Sequence, residues 1–325
     1  MIYARVTMSL SHSSISDPLS DVLTVLGARS AGRTRLEAAG DWALCFPEKQ
    51  RLKLVALLRG ECWIMLPGQD PQKLGCGDVF LIGSSAHSVA SHPEMDPIDG
   101  AALYAEPGCD VVQLGGNETV LMGASITFDA PEASFMIDAL PGFLRLDRST
   151  EAASAVSRTL DLLDAELGRG HIGGALVTTR LAEVLFVEAI RAYVVAQGES
   201  CVGWIGALAD RRIGEALRLI HSDVRHPWTV GILATAVGMS RSAFSARFAE
   251  RVGRPPLDYL TQWRMLLARQ LLSQPEADIA QVALDVGYLS QSAFGHAFKR
   301  TFGHSPRRRS SQEMPEAVAS DLIRL

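Results

Sequence analysis

The sequence has few cysteines and no pattern that would pair them. They are odd in number, widely separated and free of any CxxC pair: Cys45, Cys62, Cys76, Cys109 and Cys201. This excludes a disulfide-stabilised scaffold and a zinc knuckle, and it favours reduced thiols. Long apolar runs are also missing: no stretch of about 18 apolar residues could span a bilayer, and the first residues, MIYARVTMSLSHSS, lack the apolar core of a signal peptide. We therefore expect a cytoplasmic protein with no membrane partner.

The composition is that of a folded protein with room for two domains. The chain has 325 residues, of which 47% are hydrophobic and 21% charged. Its charge is unevenly distributed. Residues 210–309 contain 15 Lys and Arg against 8 Asp and Glu, a net charge of +7, whereas the remainder carries −12. An acidic body with a basic end is expected when that end meets a polyanion.

The first part of the chain has a β-rich texture that gives way to helices. From about 17 to 129, short apolar runs alternate with Gly, Pro and Asp, which predicts many short strands in a β-barrel or sandwich. LRGECWIML and GCGDVFLIG are predicted to be paired strands. The period becomes helical from 150 to 197. The second helix there, ALVTTRLAEVLFVEAIRAYVVAQ, is apolar around most of its girth, which leaves two interpretations open: contact with a second copy of the chain, or burial in one large intramolecular core.

The basic end contains an internal repeat. Ser242, Ala243, Phe244, Phe248, Gly253 and Pro256 recur at an offset of 50 as Ser292, Ala293, Phe294, Phe298, Gly303 and Pro306. Each copy predicts a short helix, a turn that begins with glycine, and a second helix. This is the helix-turn-helix pattern, in which the second helix enters the major groove of DNA. Six residues stand where a helix needs an N-cap oxygen: Asp210, Thr229, Ser240, Asp278, Ser290 and Ser305, with Pro306 at a first helical position.

Helical geometry divides each second helix into two sides. At 100° per residue, the repeated phenylalanines fall on the inward side. The DNA-facing side of the first copy holds Arg241, Ser242, Ser245, Ala246 and Arg247, and that of the second holds Gln291, Ser292, Gly295, His296, Lys299 and Arg300.

Residue type separates base contacts from phosphate contacts on these sides. Gln291 suits the edge of adenine, His296 a guanine acceptor and Ala246 the thymine methyl group. The basic residues are expected to contact phosphates: Arg241, Arg247, Lys299, Arg300 and the run Arg307, Arg308 and Arg309. The joining helix, LDYLTQWRMLLARQLL, would place the two second helices about 34 Å apart, in successive major grooves on one face of the duplex.

The repeat and its joining helix resemble the double helix-turn-helix domain of the AraC/XylS family of bacterial transcription regulators. The likeness covers about 100 residues and is carried by GMSRSAF, RPPLDYLTQWRM, IAQVALDVGY and FKRTFGHSP. It implies double-stranded promoter DNA and RNA polymerase as partners. Ala246 stands where many relatives carry a long polar or basic side chain, so we expect the second helix to carry more of the specificity.

A second resemblance concerns the first half. LKLVALLRGECWIMLPGQDPQKLGCGDVFLIGSSAHS resembles the cupin-like sensor barrel of one branch of AraC-type regulators. Cupin enzymes hold a metal with an HxH pair, a Glu and a later His. Here residues 51–64 contain no histidine, and only Glu61 and His87 stand near such positions, so we expect no metal, no cofactor and no catalytic residue. The barrel is expected to bind a small-molecule effector, with candidate contacts at Trp42, Lys53, Trp63, His87 and Tyr104 and with Lys53 as the anchor for an acidic ligand.

The sequence thus predicts an α+β multidomain protein. Residues 15–130 form a cupin-like β-barrel, 131–203 a helical linker and dimerisation region, 204–309 the all-α DNA-binding domain, and 310–325 a tail. We expect a homodimeric transcription regulator controlled by an effector. Two alternatives remain open: a regulator whose barrel serves only dimerisation or a protein partner, and a cupin-type metalloenzyme with a DNA-binding tail.

Overall fold

The computed structural model describes residues 17–48, 52–83, 85–106, 108–128, 142–146, 151–167, 172–197, 203–274 and 276–306. The chain divides into two compact units. One comprises Gly27 to Ala209, and the other joins the segment that ends at Leu26 to the segment from Asp210 onward. We call them the sheet unit and the helical unit. The predicted tail, the basic run at 307–309, residues 131–141 of the predicted linker and nearly all of 198–203 lie outside the described residues.

The sheet unit contains two sheets. Its strands are β1 Arg29–Ala38, β2 Ala43–Phe46, β3 Leu52–Arg59, β4 Glu61–Met65, β5 Gln72–Gly75, β6 Val79–Ile82, β7 His87–Ala90, β8 Ile98–Asp99, β9 Val111–Leu114, β10 Thr119–Thr127 and β11 Phe143–Leu146. A six-stranded sheet has the order β11-β6-β3-β10-β1-β9, and a five-stranded sheet the order β5-β4-β7-β2-β8. A 3₁₀ turn, Ala102–Tyr104, precedes β9.

The core of this unit lies between the two sheets. Inward side chains of the larger sheet, such as Val55, Leu57 and Phe80, share one buried cluster with Ile64 and Leu74 of the smaller sheet. Strands contribute alternate residues to such a core because successive side chains point to opposite faces. The predicted pairing of LRGECWIML with GCGDVFLIG is wrong for most of both segments. Strand β6 pairs instead with residues 53–56 of β3, which precede LRGECWIML, and only Glu61 of β4 lies opposite a residue of the second segment, Gly75. LRGECWIML itself is divided between β3 and β4, and β4 pairs with β5 and β7.

Three helices lie within the described residues of the sheet unit: α2 Glu151–Leu167, α3 Gly174–Gln197 and α4 Trp204–Ala207. Helix α3 packs against α2, β1 and β11. Its inner side buries Ala182, Leu185, Phe186, Ala189 and Ile190. Val177, Val184 and Val195 remain exposed at 44, 48 and 68% of their area, so intramolecular packing does not cover the whole apolar girth of this helix.

The helical unit contains α1 Pro18–Val25, α5 Arg211–Ser222, α6 Val230–Ala236, α7 Arg241–Val252, α8 Pro256–Leu272, α9 Ile279–Asp285 and α10 Gln291–Phe302. The two repeats fold alike. Gly238 and Gly287 open the turns with φ of +66° and +82°, a conformation that side chains with a Cβ rarely adopt. Five predicted N-caps accept backbone hydrogen bonds as expected: Asp210, Thr229, Ser240, Asp278 and Ser290. The residues after Ser305 and Pro306 lie outside the described part, so their predicted cap stays a prediction.

Helix α1 precedes the strands in sequence but belongs to the helical unit. It packs against α5 and α8 and buries Leu19 and Val22. Beneath it, the side chain of His221 has no exposed area. The chain therefore passes between the units twice, after Leu26 and before Asp210.

Candidate nucleic-acid interface and effector cavity

Helix α7 presents its predicted polar side outward. Ser240 caps it by accepting a hydrogen bond from the Ala243 N–H at 3.2 Å. Phe244 and Phe248 are fully buried, and their rings lie 5.6 Å apart. Burial of this aromatic pair sets the rotation of the helix, which leaves all the predicted contact residues at least partly accessible: Arg241, Ser242, Ala246 and Arg247 exposed and Ser245 half-buried.

Helix α10 repeats this arrangement. Ser290 caps it through the Ala293 N–H at 3.3 Å, and Phe294 and Phe298 are buried with their rings 5.7 Å apart. Its outer side carries the predicted residues: Gln291, Ser292, His296, Lys299 and Arg300 exposed and Gly295 half-buried. A Cβ built on Gly295 would have no neighbour within 4 Å, so packing within the chain does not account for glycine there.

Two of the arginines on α7 are held by contacts within the helical unit. Arg247 Nε donates to Asp210 Oδ2 at 2.8 Å, and Arg251 Nε lies 3.7 Å from the same oxygen. Burial raises the pKa of Asp210, but hydrogen bonds from the Ile213 N–H, Arg247 and the Arg212 N–H outweigh it, so the pKa lies below its ordinary value. The ionised carboxylate thus joins the start of α5 to the outer side of α7.

Arg241 is positioned by a glycine on the preceding helix. A Cβ at Gly231 would lie 2.7 Å from Arg241 Nε, so the guanidinium rests against the bare Cα of α6. A larger residue at position 231 would displace it. Glycine at position 231 therefore leaves room for this cation at the start of α7.

Sequence reasoning missed the residue that ties the two repeats together. Arg264 of α8 donates through Nε to the carbonyl oxygen of Val224 at 3.0 Å and through Nη2 to that of His226 at 2.8 Å. Its guanidinium also lies 5.8 Å from the ring centroid of Tyr288, next to the second turn. A Cβ at Gly287 would come within 2.7 Å of Arg264 Nη2. Gly287 of the second turn was the one sequence signal for this contact, because a glycine there leaves room for the guanidinium of Arg264.

A second bridge joins the same parts of the helical unit. Arg225, in the loop before the first repeat, pairs with the carboxylate of Asp285 at the end of α9. Arg225 Nε also donates to the Asp285 carbonyl oxygen at 3.3 Å. The loop before the first repeat is therefore connected to the second repeat through an ion pair, and to α8 through the half-buried Arg264.

The sheet unit contains a cavity of about 400 Å³ at one end of its two sheets. Three of the five predicted effector contacts line it: Lys53, His87 and Tyr104. His87 stacks on Phe46 with ring centroids 5.2 Å apart, and the Tyr104 hydroxyl donates to the Arg35 carbonyl oxygen at 3.2 Å. Burial, followed by the nearby Cys109, raises the pKa of Tyr104 to about 12, so this hydroxyl keeps its proton.

The remaining candidates lie elsewhere in the sheet unit. Trp42 is buried in the core with 5% of its area exposed. Trp63 is half-buried on β4, where its neighbours Cys62 and Ile64 face the core and strand alternation turns it the other way. Glu61 pairs with Lys73 at 2.8 Å and is 67% exposed. Within the described ranges, no cluster of three or more His, Cys, Asp or Glu is arranged to hold a metal ion.

Two family models match the chain. A cupin family model matches residues 17–195, and a helix-turn-helix domain model matches residues 233–310. The chain is 36% identical over 302 residues, 92% of its length and 100% of the relative's, to a putative AraC-like transcription regulator of Streptomyces antibioticus. The chain belongs to the AraC-like transcription regulators. The HTH-type transcriptional regulator AlkR of Acinetobacter baylyi is 29% identical over 300 residues, 90% of this chain and 98% of the relative.

Among solved structures, the chain is similar to ToxT from Vibrio cholerae, with 13% sequence identity and a TM-score of 0.32; the match covers 86% of this chain and 95% of ToxT. The predicted family and fold class are confirmed: this AraC-like protein has a β-rich cupin domain and an all-helical DNA-binding domain, and it is a transcription regulator rather than an enzyme. None of its described helices is long and apolar enough to cross a membrane.

Proposed function

We propose that this AraC-like regulator recognises a specific promoter sequence with both α7 and α10, under the control of a small molecule that binds in the cavity of the sheet unit. One observation carries the DNA part. The two helices share a serine cap, a buried phenylalanine pair and an exposed polar side, and Arg264 and Arg225 tie their repeats together. Two rigidly linked recognition helices suit successive major grooves of one duplex.

The roles of individual residues follow from their position and chemistry. On α10, Gln291 and His296 are the base contacts, and Lys299 and Arg300 contact phosphates. On α7, the short side chains Ser242, Ser245 and Ala246 permit a close approach to the groove but offer few hydrogen bonds. Arg241 is the phosphate contact at the start of that helix. Arg247, held by Asp210, contributes charge while it braces α5.

Control by an effector is proposed to act through the chain crossing after Leu26. Arg33 and Thr34 of β1 line the cavity. The same strand begins three residues after Leu26, which ends the α1 segment of the helical unit. An effector that draws β1 to one position shifts the population of arrangements available to α1, and promoter occupancy or contact with RNA polymerase changes in consequence.

Homodimerisation is proposed to use α3. Val177, Val184 and Val195 fall within about 20° of one another on a helix of 100° per residue, so they form one exposed apolar stripe. The ion pair Glu188–Arg191 lies on the same side, between Val184 and Val195, and the pair Arg180–Glu183 lies beside the stripe. An apolar stripe combined with charged pairs suits a second copy of the same helix. This observation also favours the alternative in which the sheet unit serves dimerisation or a protein partner alone.

DNA recognition is tested by selecting fragments of the host genome with the purified full-length protein and sequencing the bound pool at two salt concentrations. The wild type is expected to enrich a motif with two reading centres about one helical turn apart. Gln291→Ala with His296→Ala should erase one centre, at a cost of about 1–3 kcal/mol per lost base contact. Gln274→Ala, an exposed change at the end of α8, is the matched control. Salt-sensitive but unselective binding by the wild type would refute the proposal.

A further inference from the structure

The turn of the second repeat has one residue more than the turn of the first. The first turn reads GMS from position 238, and the second reads GYLS from position 287. The Met239 N–H donates to the Ala234 carbonyl oxygen at 2.8 Å. In the second repeat, the Tyr288 N–H donates to the Ala283 carbonyl oxygen at 2.8 Å. Tyr288 therefore takes the place of Met239, and Leu289 is the inserted residue.

The fold makes little use of the inserted side chain. An apolar residue just before a helix cap often packs on the fourth residue of the helix, which in α10 is Phe294. Tyr288 makes this contact instead, since its ring meets that of Phe294 edge to face with centroids 5.8 Å apart. Leu289 is 98% exposed. Its methyl groups are surrounded by water, so covering them with an apolar partner would be favourable.

The residues on either side of Leu289 are anchored. Before it, the ring of Tyr288 lies 5.8 Å from the guanidinium of Arg264. After it, Ser290 caps α10 by accepting a hydrogen bond from the Ala293 N–H at 3.3 Å. A side chain on a backbone that is already held loses less conformational freedom when a partner covers it. The turn thus presents Leu289 in a position that is prepared for contact.

The backbone directs Leu289 to the side of the recognition helix that carries Gln291. Ser290, which lies between them, is extended with φ of −129° and ψ of 124°. Across an extended residue, the side chains before and after it point to the same side. Gln291 is exposed at the first position of α10. The first residues of a recognition helix are those that reach the base edges in the major groove.

We propose that Leu289 is a specificity-determining residue, which packs on the methyl group of a thymine next to the base that Gln291 contacts. Of the four bases, only thymine presents a methyl group in the major groove, and apolar side chains recognise it by contact. The inference rests on the proposed recognition of a promoter by α10, and it adds a residue and the base feature that this residue reads. The first turn has no counterpart of Leu289, so this contact belongs to the second reading centre alone.

The test uses the full-length protein and the duplex that the wild type selects from genomic fragments. In the reading centre that Gln291→Ala with His296→Ala erases, each thymine is replaced singly by deoxyuridine, which lacks the methyl group but keeps the base pair. Fluorescence anisotropy at fixed salt measures the Kd of each duplex. One replacement should raise the Kd of the wild type about three- to tenfold, the factor expected when a buried methyl contact is lost.

Three variants make the result specific to this side chain. Leu289→Ser should raise the Kd of the unmodified duplex by the same factor, and the uracil at that position should then have no further effect. Leu289→Met keeps an apolar side chain and should keep the sensitivity to the methyl group. Leu257→Ser removes a 40% exposed leucine elsewhere in the helical unit and should leave every Kd as in the wild type. Because Leu289 is exposed, Leu289→Ser should unfold at the same temperature as the wild type.

The outcomes separate this inference from the function on which it rests. A selected motif that Leu289→Ser binds as tightly as the wild type would overturn the contact and leave recognition by α10 in place. A weaker Leu289→Ser that responds to every uracil as the wild type does would overturn the thymine methyl group as the target. Selection of no motif by the wild type would refute both the proposed recognition and this inference.

Discussion

Arg264 Nη2 donates to the carbonyl oxygen of His226 at 2.8 Å, and through this bond the helix between the two repeats holds the loop that leads into the first. The same guanidinium lies against Tyr288 of the second turn. One side chain therefore relates the two recognition helices to each other. Orientation between them matters because two helices joined in one protomer can enter successive grooves only if their spacing is fixed.

Replacing this arginine should loosen the pair of repeats. Arg264→Met leaves the carbonyl groups of Val224 and His226 without their donor, and we expect the free energy of unfolding to fall by about 1–3 kcal/mol. Affinity for the selected two-centre site should fall more than affinity for a duplex with one centre, as measured by fluorescence anisotropy. Arg218→Met removes only a surface ion pair with Glu215. It should change neither the free energy of unfolding nor the affinity for either duplex. Equal losses on both duplexes would show that Arg264 stabilises the fold without setting the spacing.

Replacing Gly295 by alanine should stabilise the protein but weaken DNA binding. Glycine within a helix destabilises it by roughly 0.5–1 kcal/mol relative to alanine, and a Cβ at this position has open space. Gly295→Ala should therefore raise the melting temperature. It should also weaken binding to the selected site, because the added methyl group occupies space that we assign to DNA. Unchanged affinity together with the higher melting temperature would place DNA away from this position.

The packing of α1 should depend on pH through His221. Its Nε2 lies 2.8 Å from the Tyr259 hydroxyl, and its Nδ1 lies 3.3 Å from Asp21 of α1. Burial lowers the pKa of His221, and Asp21 acts in the opposite direction without outweighing burial. Because the folded pKa lies below the unfolded value of about 6.5, the stabilising contribution is full above pH 6.5 and is lost as the pH falls towards the folded pKa.

Urea unfolding of the full-length protein between pH 7.5 and 5.5 measures this effect. As the pH falls, the free energy of unfolding of the wild type should decrease by up to about 1.4 kcal/mol per pH unit more than that of His221→Gln, because glutamine cannot take up the proton. Parallel pH profiles of the two proteins would contradict a buried neutral histidine at this position.

The exposed valines of α3 should control self-association. Val184→Glu puts a charge in the middle of the stripe. The Kd of a dimer formed there should rise about tenfold or more. Sedimentation equilibrium measures the change. Thr179→Glu, about 140° away around the same helix, is the control and should leave association unaltered. A dimer that tolerates Val184→Glu must use another surface.

Local signals made the helical unit predictable. The caps, the turn glycines and the spacing of phenylalanines predicted α10 at its observed bounds, Gln291–Phe302, and α6 to within one residue of Val230–Ala236. The place of α1 could not be predicted, since it depends on contacts with residues about 200 positions later in the chain. Arg264 was missed for the same reason, because nothing near it in sequence shows which carbonyl groups it meets.

The sheet unit was predicted less completely because its pairings are non-local. Lys53, His87 and Tyr104 were found as residues that line the cavity, whereas Trp42 and Trp63 do not line it. Alternation with Cys62 and Ile64 was a signal for the outward side chain of Trp63, but the register that pairs β3 with β6 has no local cause.

One protomer is proposed to use α7 and α10 together on one face of the duplex. The decisive experiment inserts base pairs between the two centres of the selected site and measures the affinity of the full-length protein at fixed salt. Helices held by Arg264 and Arg225 cannot follow either change, so insertions of 5 and of 10 base pairs should each reduce affinity to that of a single centre. Recovery of full affinity with 10 inserted base pairs, which is one helical turn, would instead show that α7 and α10 bind the two centres independently of each other.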